Sequence, residues 1–193
     1  KVASKAETNH CILVVDESFI DFVENDSELT SRWLINKYSN LMVLHSLTKF
    51  YALPGLRLGF ALASERLANL LYAGKDPWNV NSLAQAAGVT ALQDINYRND
   101  SRNLISSAKA DFYDKLCCLR GWVPMMPVVN FILVSISGTK KTSGQWKQLL
   151  LEHNILVRDC GNFYGLSDSF IRLAVKQPIQ NDFFVDTVKN LMG

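Results

Sequence analysis

The chain has 193 residues, 48% hydrophobic and 20% charged, an ordinary globular composition with length for one or two domains. Its net charge of +2, from 20 basic and 18 acidic residues scattered along the chain, leaves no electrostatic footprint for nucleic acid. No apolar run approaches a membrane span, and residues 1–10 are too polar for a signal peptide, so neither nucleic acid nor a membrane is expected as a partner. Lys1 to Asn9 is polar, and Cys11-Ile12-Leu13-Val14-Val15 then runs into Asp16. A short, continuous apolar run of this kind predicts a strand buried on both faces of a parallel sheet. No methionine opens the chain, and a domain seldom begins this close to a central strand. A sizeable N-terminal part is therefore expected upstream.

Residues Ser27 to Tyr38 read as an amphipathic helix with Leu29, Trp33, Leu34 and Ile35 on one side. Strands at about 41–47 and 57–63 flank a turn. Ser64 is a suitable N-cap for a helix through Tyr72 with Gly74 at its end, and residues 75–81 form a loop. Asn81 or Ser82 caps the next helix, to about Asp94, and Asn96 to Leu119 is one long helix bridging two domains. Beyond it come a strand (Asn130–Ile136), a helix (Ser143–His153), two strands (Ile155–Arg158 and Phe170–Val175) and a helix (Pro178–Met192) with Pro178 in the first helical position. Mixed elements after a long helix predict a small α+β domain, with a boundary between residues 1–95 and 96–193.

The cysteines are Cys11, Cys117, Cys118 and Cys160. The adjacent pair is a poor disulfide candidate and no C-x-x-C occurs, so reduced thiols in a cytoplasmic protein are expected. His10, His45 and His153 have no metal-ligand spacing, and no metal site is expected.

Chemistry concentrates in Ser46-Leu47-Thr48-Lys49-Phe50-Tyr51-Ala52-Leu53-Pro54-Gly55-Leu56-Arg57-Leu58-Gly59-Phe60. An apolar run delivers a lysine flanked by hydroxyl groups, and a Pro-Gly turn leads to an arginine. The ordinary reading is a strand, a turn and a second strand with a solvated lysine. The alternative is that Ser46 and Arg57 bracket a phosphate with a hydroxyl and a guanidinium fork, leaving Lys49 as an amine near an aldehyde. Those parts suit pyridoxal 5′-phosphate, which needs a Schiff-base lysine, an anion site and a carboxylate for its ring nitrogen. Asp16, at the carboxyl end of a strand where open α/β sheets bind ligands, can be that carboxylate or a simple surface acid. In the C-terminal part, Arg158 ends a strand and Arg172 lies inside the apolar run 170–175. An arginine there destabilises unless its charge is paired, either by a carboxylate of the protein or by a substrate anion bound bidentately.

The lysine segment resembles that of fold-type I pyridoxal phosphate enzymes, S-x-x-K with R-x-G-(Y/F) downstream. Asp16-Glu17-Ser18-Phe19-Ile20-Asp21-Phe22 resembles the corresponding segment of histidinol-phosphate aminotransferases, and the loop Pro77-Trp78-Asn79-Val80-Asn81 is similar to their entrance loop. The likeness runs from Asp16 to the last helix. The closer match is to threonine-phosphate decarboxylases, on the lysine segment, Ile155-Leu156-Val157-Arg158-Asp159-Cys160, Gly161-Asn162-Phe163-Tyr164-Gly165-Leu166 and the Arg172 strand. The resemblance implies an α/β fold: the C-terminal part of a fold-type I large domain, mainly parallel sheet, followed by a small α+β domain. It implies a homodimer that decarboxylates L-threonine O-3-phosphate in cobalamin biosynthesis, with histidinol-phosphate aminotransferase as the alternative. Lys49 would be catalytic, Asp16, Ser46 and Arg57 would hold the cofactor, Arg158 would bind the substrate phosphate and Arg172 its carboxylate. Phe19 stands where many aminotransferases have a tyrosine, and the roles of Tyr51, Trp78, Asn79 and Asn81 stay open. The phosphate turn, stacking aromatic and asparagine of the family's N-terminal half have no counterpart here. The 193 residues alone are therefore expected to be inactive, or to form an interaction module.

Overall fold

In the computed structural model, which describes residues 1–193, two of the predicted apolar runs pair as parallel strands, Leu13–Asp16 (β1) and Leu41–Ser46 (β2). Gly59–Ala63 (β3) adds to the far edge of β2 antiparallel, so the three-stranded sheet β1-β2-β3 is mixed. Along β2 the side chains alternate, burying Leu41, Val43 and His45 on one face. β1 does not have the two buried faces expected of it, since Val14 is 50% exposed. It is the edge strand, with β2 its single neighbour, and its burial alternates.

The chain divides into two units, Lys1–Asn99 and Asp100–Gly193. The first opens on a short helix, Val2–Thr8 (α1), from a stretch whose polarity gave no apolar period to detect; Ala3 is its one buried residue. The helix expected over Ser27–Tyr38 is broken. A single turn, Asp26–Leu29 (α2), ends at Thr30 in extended conformation, and a 3-10 turn follows over Arg32–Asn36. The cause is Glu17, whose buried carboxylate accepts from the Thr30 hydroxyl at 2.7 Å and from the Ser31 amide. Those bonds draw the backbone away from the helical ladder. Helix Glu65–Gly74 (α3) starts after Ser64, but that hydroxyl donates to the Ser39 carbonyl at 2.8 Å instead of capping. Asn81 does cap Ser82–Gln93 (α4), accepting from the Ala84 amide at 2.8 Å. The core of this unit includes Leu41, Val43, Leu47, Phe50, Tyr51 and Leu67, with the Phe50 ring edge-on to Phe22 and Tyr51.

Gly59, opposite Ser46 in the β2–β3 register, is where the backbones crowd. A Cβ there would lie 2.7 Å from the His45 carbonyl oxygen, which belongs to the main chain and cannot rotate away. Gly59→Ala is expected to destabilise the protein by about 1–3 kcal/mol, read as a lower urea midpoint. An unchanged midpoint would mean that the strands separate freely at this point.

The long helix Ile95–Cys117 (α5) contains the division between the units. The second unit has a four-stranded antiparallel sheet ordered Val123–Pro124 (β4), Phe131–Ser135 (β5), Phe170–Ala174 (β7) and Arg158–Asp159 (β6). Ser143–Glu152 (α6) carries a capping box, Thr142 with Gln145, and Pro178–Met192 (α7) begins on Pro178 as expected. Trp146, Phe112, Ile132, Ile171 and Val188 form one core with Trp122 and Phe184, whose rings meet edge to face. The strand expected from Ile155 shortens to Arg158–Asp159, because Asn154 takes a left-handed turn at φ 59 and Leu156 points to solvent.

Candidate active site

Parallel pairing in register, Asp16 opposite Leu44, brings the carboxyl ends of β1 and β2 side by side. One end delivers Asp16, the other Ser46 and the lysine turn. Asp16 Oδ1 accepts from both the hydroxyl and the amide of Ser18. The Ser18 hydroxyl, then its amide, and then the charge of Lys49 hold the Asp16 carboxyl below the usual aspartate range. The folded state thus binds this proton less tightly than the unfolded chain. Its contribution to stability is present above the ordinary aspartate value and is lost as pH falls through the depressed one.

Beyond β2, Ser46 Oγ and Thr48 Oγ1 are 2.8 Å apart, and Lys49 Nζ donates to Thr48 Oγ1 at 2.8 Å. The ammonium also lies 5.7 Å from the centre of the Phe19 ring. Thr48, which sequence reasoning passed over, is thus the link between the two candidate residues Ser46 and Lys49. Its signal was present in the sequence, as the second hydroxyl beside the lysine. The turn then crosses Ala52 (φ 52), a 3-10 turn at Pro54–Leu56, and Arg57 (φ 51), two non-glycine residues in left-handed backbone. Such conformations cost on the order of 1 kcal/mol or more each and persist where surrounding structure imposes them. Arg57, two residues before Gly59 of the Ser46–Gly59 pair, donates to the Pro54 carbonyl at 3.2 Å within its own turn.

The residues left open at first have separable positions. Tyr51 is buried and its hydroxyl accepts from Arg98 at 3.1 Å, so it is a core residue. Trp78 is 90% exposed, so it anchors no core within this chain. Asn81 is the α4 cap, and the Asn79 amide donates to the Asp76 carbonyl.

In the second unit, Arg158 on β6 and Arg172 on β7 are direct cross-strand partners. Neither is ion-paired to a carboxylate. Arg158 donates to Asn162 Oδ1 at 3.1 Å and lies 5.1 Å over the Phe163 ring, while Arg172 lies 4.7 Å over Phe131. Two like charges directly opposite destabilise a sheet, and the aromatic faces offset part of that. Nearby, Asp159 is taken up by the Gly161 amide at 2.9 Å and the Ser143 hydroxyl at 2.7 Å, which hold its carboxyl below the usual range. Burial pushes the Cys160 thiol up against the opposing pull of both arginines. A cleft of about 530 Å3 in this unit, lined by residues such as Leu156, Ile179 and Phe183, includes neither arginine.

A lysine turn at the carboxyl ends of strands is thus followed in the chain by an α+β unit whose two cross-strand arginines have no carboxylate partner. The chain belongs to the aminotransferase class I and II family, whose model matches residues 1–187. It is 35% identical over 185 residues to the adenosylcobalamin biosynthesis bifunctional protein CobDQ of Leptospira interrogans, covering 96% of this chain and 21% of that protein. It is 32% identical over 196 residues to the threonine-phosphate decarboxylase of Salmonella typhimurium, covering 99% of this chain and 51% of the other. The crystal structure of the histidinol-phosphate aminotransferase from Clostridium acetobutylicum superposes with a TM-score of 0.92 at 31% identity, over 98% of this chain and 57% of that one. The chain thus spans about half the length of the decarboxylase and the aminotransferase it matches. The cofactor of the family is pyridoxal 5′-phosphate, the one expected from the lysine segment.

Proposed function

We propose that this chain is part of an enzyme that decarboxylates L-threonine O-3-phosphate to aminopropanol phosphate in cobalamin biosynthesis. The observation that carries the reading is the Arg158–Arg172 pair: two arginines directly opposite on neighbouring strands, neither held by a carboxylate, suit one substrate with two anions. The names of two relatives, a threonine-phosphate decarboxylase and a cobalamin biosynthesis protein, point the same way.

The residues of the lysine turn fit pyridoxal phosphate by their donor set. When bound, that group supplies an electron sink for the pair left on the substrate's α-carbon. Lys49 would carry it covalently, and the lysine amine, once free, would be placed to give a proton to the α-carbon. Ser46, with Thr48 beside it, and Arg57 would bind the cofactor phosphate. Asp16, whose carboxyl Ser18 holds below the usual range, would pair with the ring nitrogen. Arg158 takes the substrate phosphate and Arg172 its carboxylate. The intact enzyme is a homodimer in this reading, and the cytoplasm is its compartment, consistent with four cysteines that are all free.

The second reading, a histidinol-phosphate aminotransferase, has the Clostridium structure in its favour. Histidinol phosphate carries one of the two anions, and the carboxylate then belongs to glutamate in a separate half-reaction. The full-length protein given threonine phosphate should release CO2 and keep its cofactor in the aldehyde form. Brisk accumulation of the pyridoxamine form with glutamate would transfer the assignment to the aminotransferase. Light scattering on the same preparation should give twice the protomer mass, and an active monomer would remove the dimer.

A further inference from the structure

Behind the lysine turn lies a polar cluster that takes no part in the chemistry above. His45, 4% exposed, precedes Ser46 on β2 and faces the core. Its Nε2 is 2.7 Å from Asp21 Oδ2, its Nδ1 is 3.3 Å from the Arg32 guanidinium, and its ring stacks on Phe60 with centres 4.8 Å apart. Arg32 Nε is in turn 3.5 Å from Glu17 Oε2, an ion-pair rather than a hydrogen-bond separation. Glu17, itself buried, follows Asp16 directly and is held by Thr30 and Ser31. A guanidinium only donates, so Nδ1 of His45 must accept and Nε2 carries the proton toward Asp21. One tautomer therefore satisfies both neighbours at once.

We propose that Glu17, Arg32, His45 and Asp21 form a positioning network that clamps the end of β2, and with it the Ser46–Lys49 turn, against the end of β1 that carries Asp16. The linkage is short: Glu17 and His45 each sit one residue from a candidate cofactor residue, and Arg32 is the bridge between them. A partly buried network of directional contacts, His45 hydrogen-bonded to Asp21 and Arg32 and Arg32 ion-paired to Glu17, fixes its elements more narrowly than apolar contacts, which slide. Arg32 is the member to remove, because its side chain is 34% exposed and it is not part of the buried core. The proposal rests on the cofactor reading only for its effect on cofactor affinity. Its effect on the turn is read without cofactor.

In the full-length protein, Arg32→Met should speed amide exchange across residues 46–57 on the order of tenfold, and weaken pyridoxal phosphate affinity by a similar factor. Arg32→Lys should restore part of both, and His45→Gln, which keeps a donor toward Asp21, should fall between them. Leu67→Ala, a core truncation in α3, is the control: it should lower the melting temperature with neither effect. The network is not a positioning device if Arg32→Met leaves exchange of the turn unchanged, or if Leu67→Ala accelerates it equally. Faster exchange in a protein that takes up no pyridoxal phosphate would instead keep the network and reject the cofactor.

Discussion

Arg158→Ala is expected to lower kcat/KM for threonine phosphate by roughly 30- to 1,000-fold, the equivalent of about 2–4 kcal/mol for a lost charge-assisted anion contact. Arg172→Ala should fall in the same range. The two should part company with unphosphorylated threonine, which retains its dependence on Arg172 and loses most of its sensitivity to Arg158. The split follows from the proposed assignment of phosphate to Arg158 and carboxylate to Arg172; in the structure each guanidinium lies over its own aromatic ring, and only Arg158 is also tied to Asn162. The two positions are thus held independently, and removal of one leaves the other's support intact. Equal sensitivity of both substrates to Arg158→Ala would take the phosphate away from that residue.

The second large effect belongs to Lys49. Borohydride reduction of the protein with pyridoxal phosphate should fix the cofactor on Lys49, and Lys49→Ala should abolish the adduct together with the visible absorption. Turnover should fall by about 100- to 10,000-fold, the range over which a positioned acid–base group contributes. An adduct on another lysine, with the chromophore retained in Lys49→Ala, would overturn the assignment of the turn.

The residues that announced themselves in the sequence were those whose chemistry and punctuation coincide. Lys49 stands between hydroxyls and a Pro-Gly turn, and Pro178 sits where its missing amide is harmless. What could not be read was set by partners distant in the chain. The Ser27–Tyr38 pattern is amphipathic, but Glu17, ten or more residues upstream, captures the Thr30 hydroxyl and the Ser31 amide and ends the helix there. Ser64 looks like a cap, and its hydroxyl is claimed by Ser39. α1 hides in a polar stretch, and β4 is two residues long, too short for any period to register. In the site, Thr48 was visible as a hydroxyl but not as the link between Ser46 and Lys49, since that role exists only once the turn has folded.

Arg57 bears on how such a chain changes over generations. Glycine or asparagine would occupy its left-handed backbone at lower cost, and random substitution filtered for stability alone would drift toward one of them. Neither carries a guanidinium. The residue in place is therefore the less comfortable choice for the backbone, and under the proposed phosphate role comfort and charge pull in opposite directions there. A lineage that abandoned the chemistry should give up this arginine early, because its loss alone would leave the turn more relaxed than before.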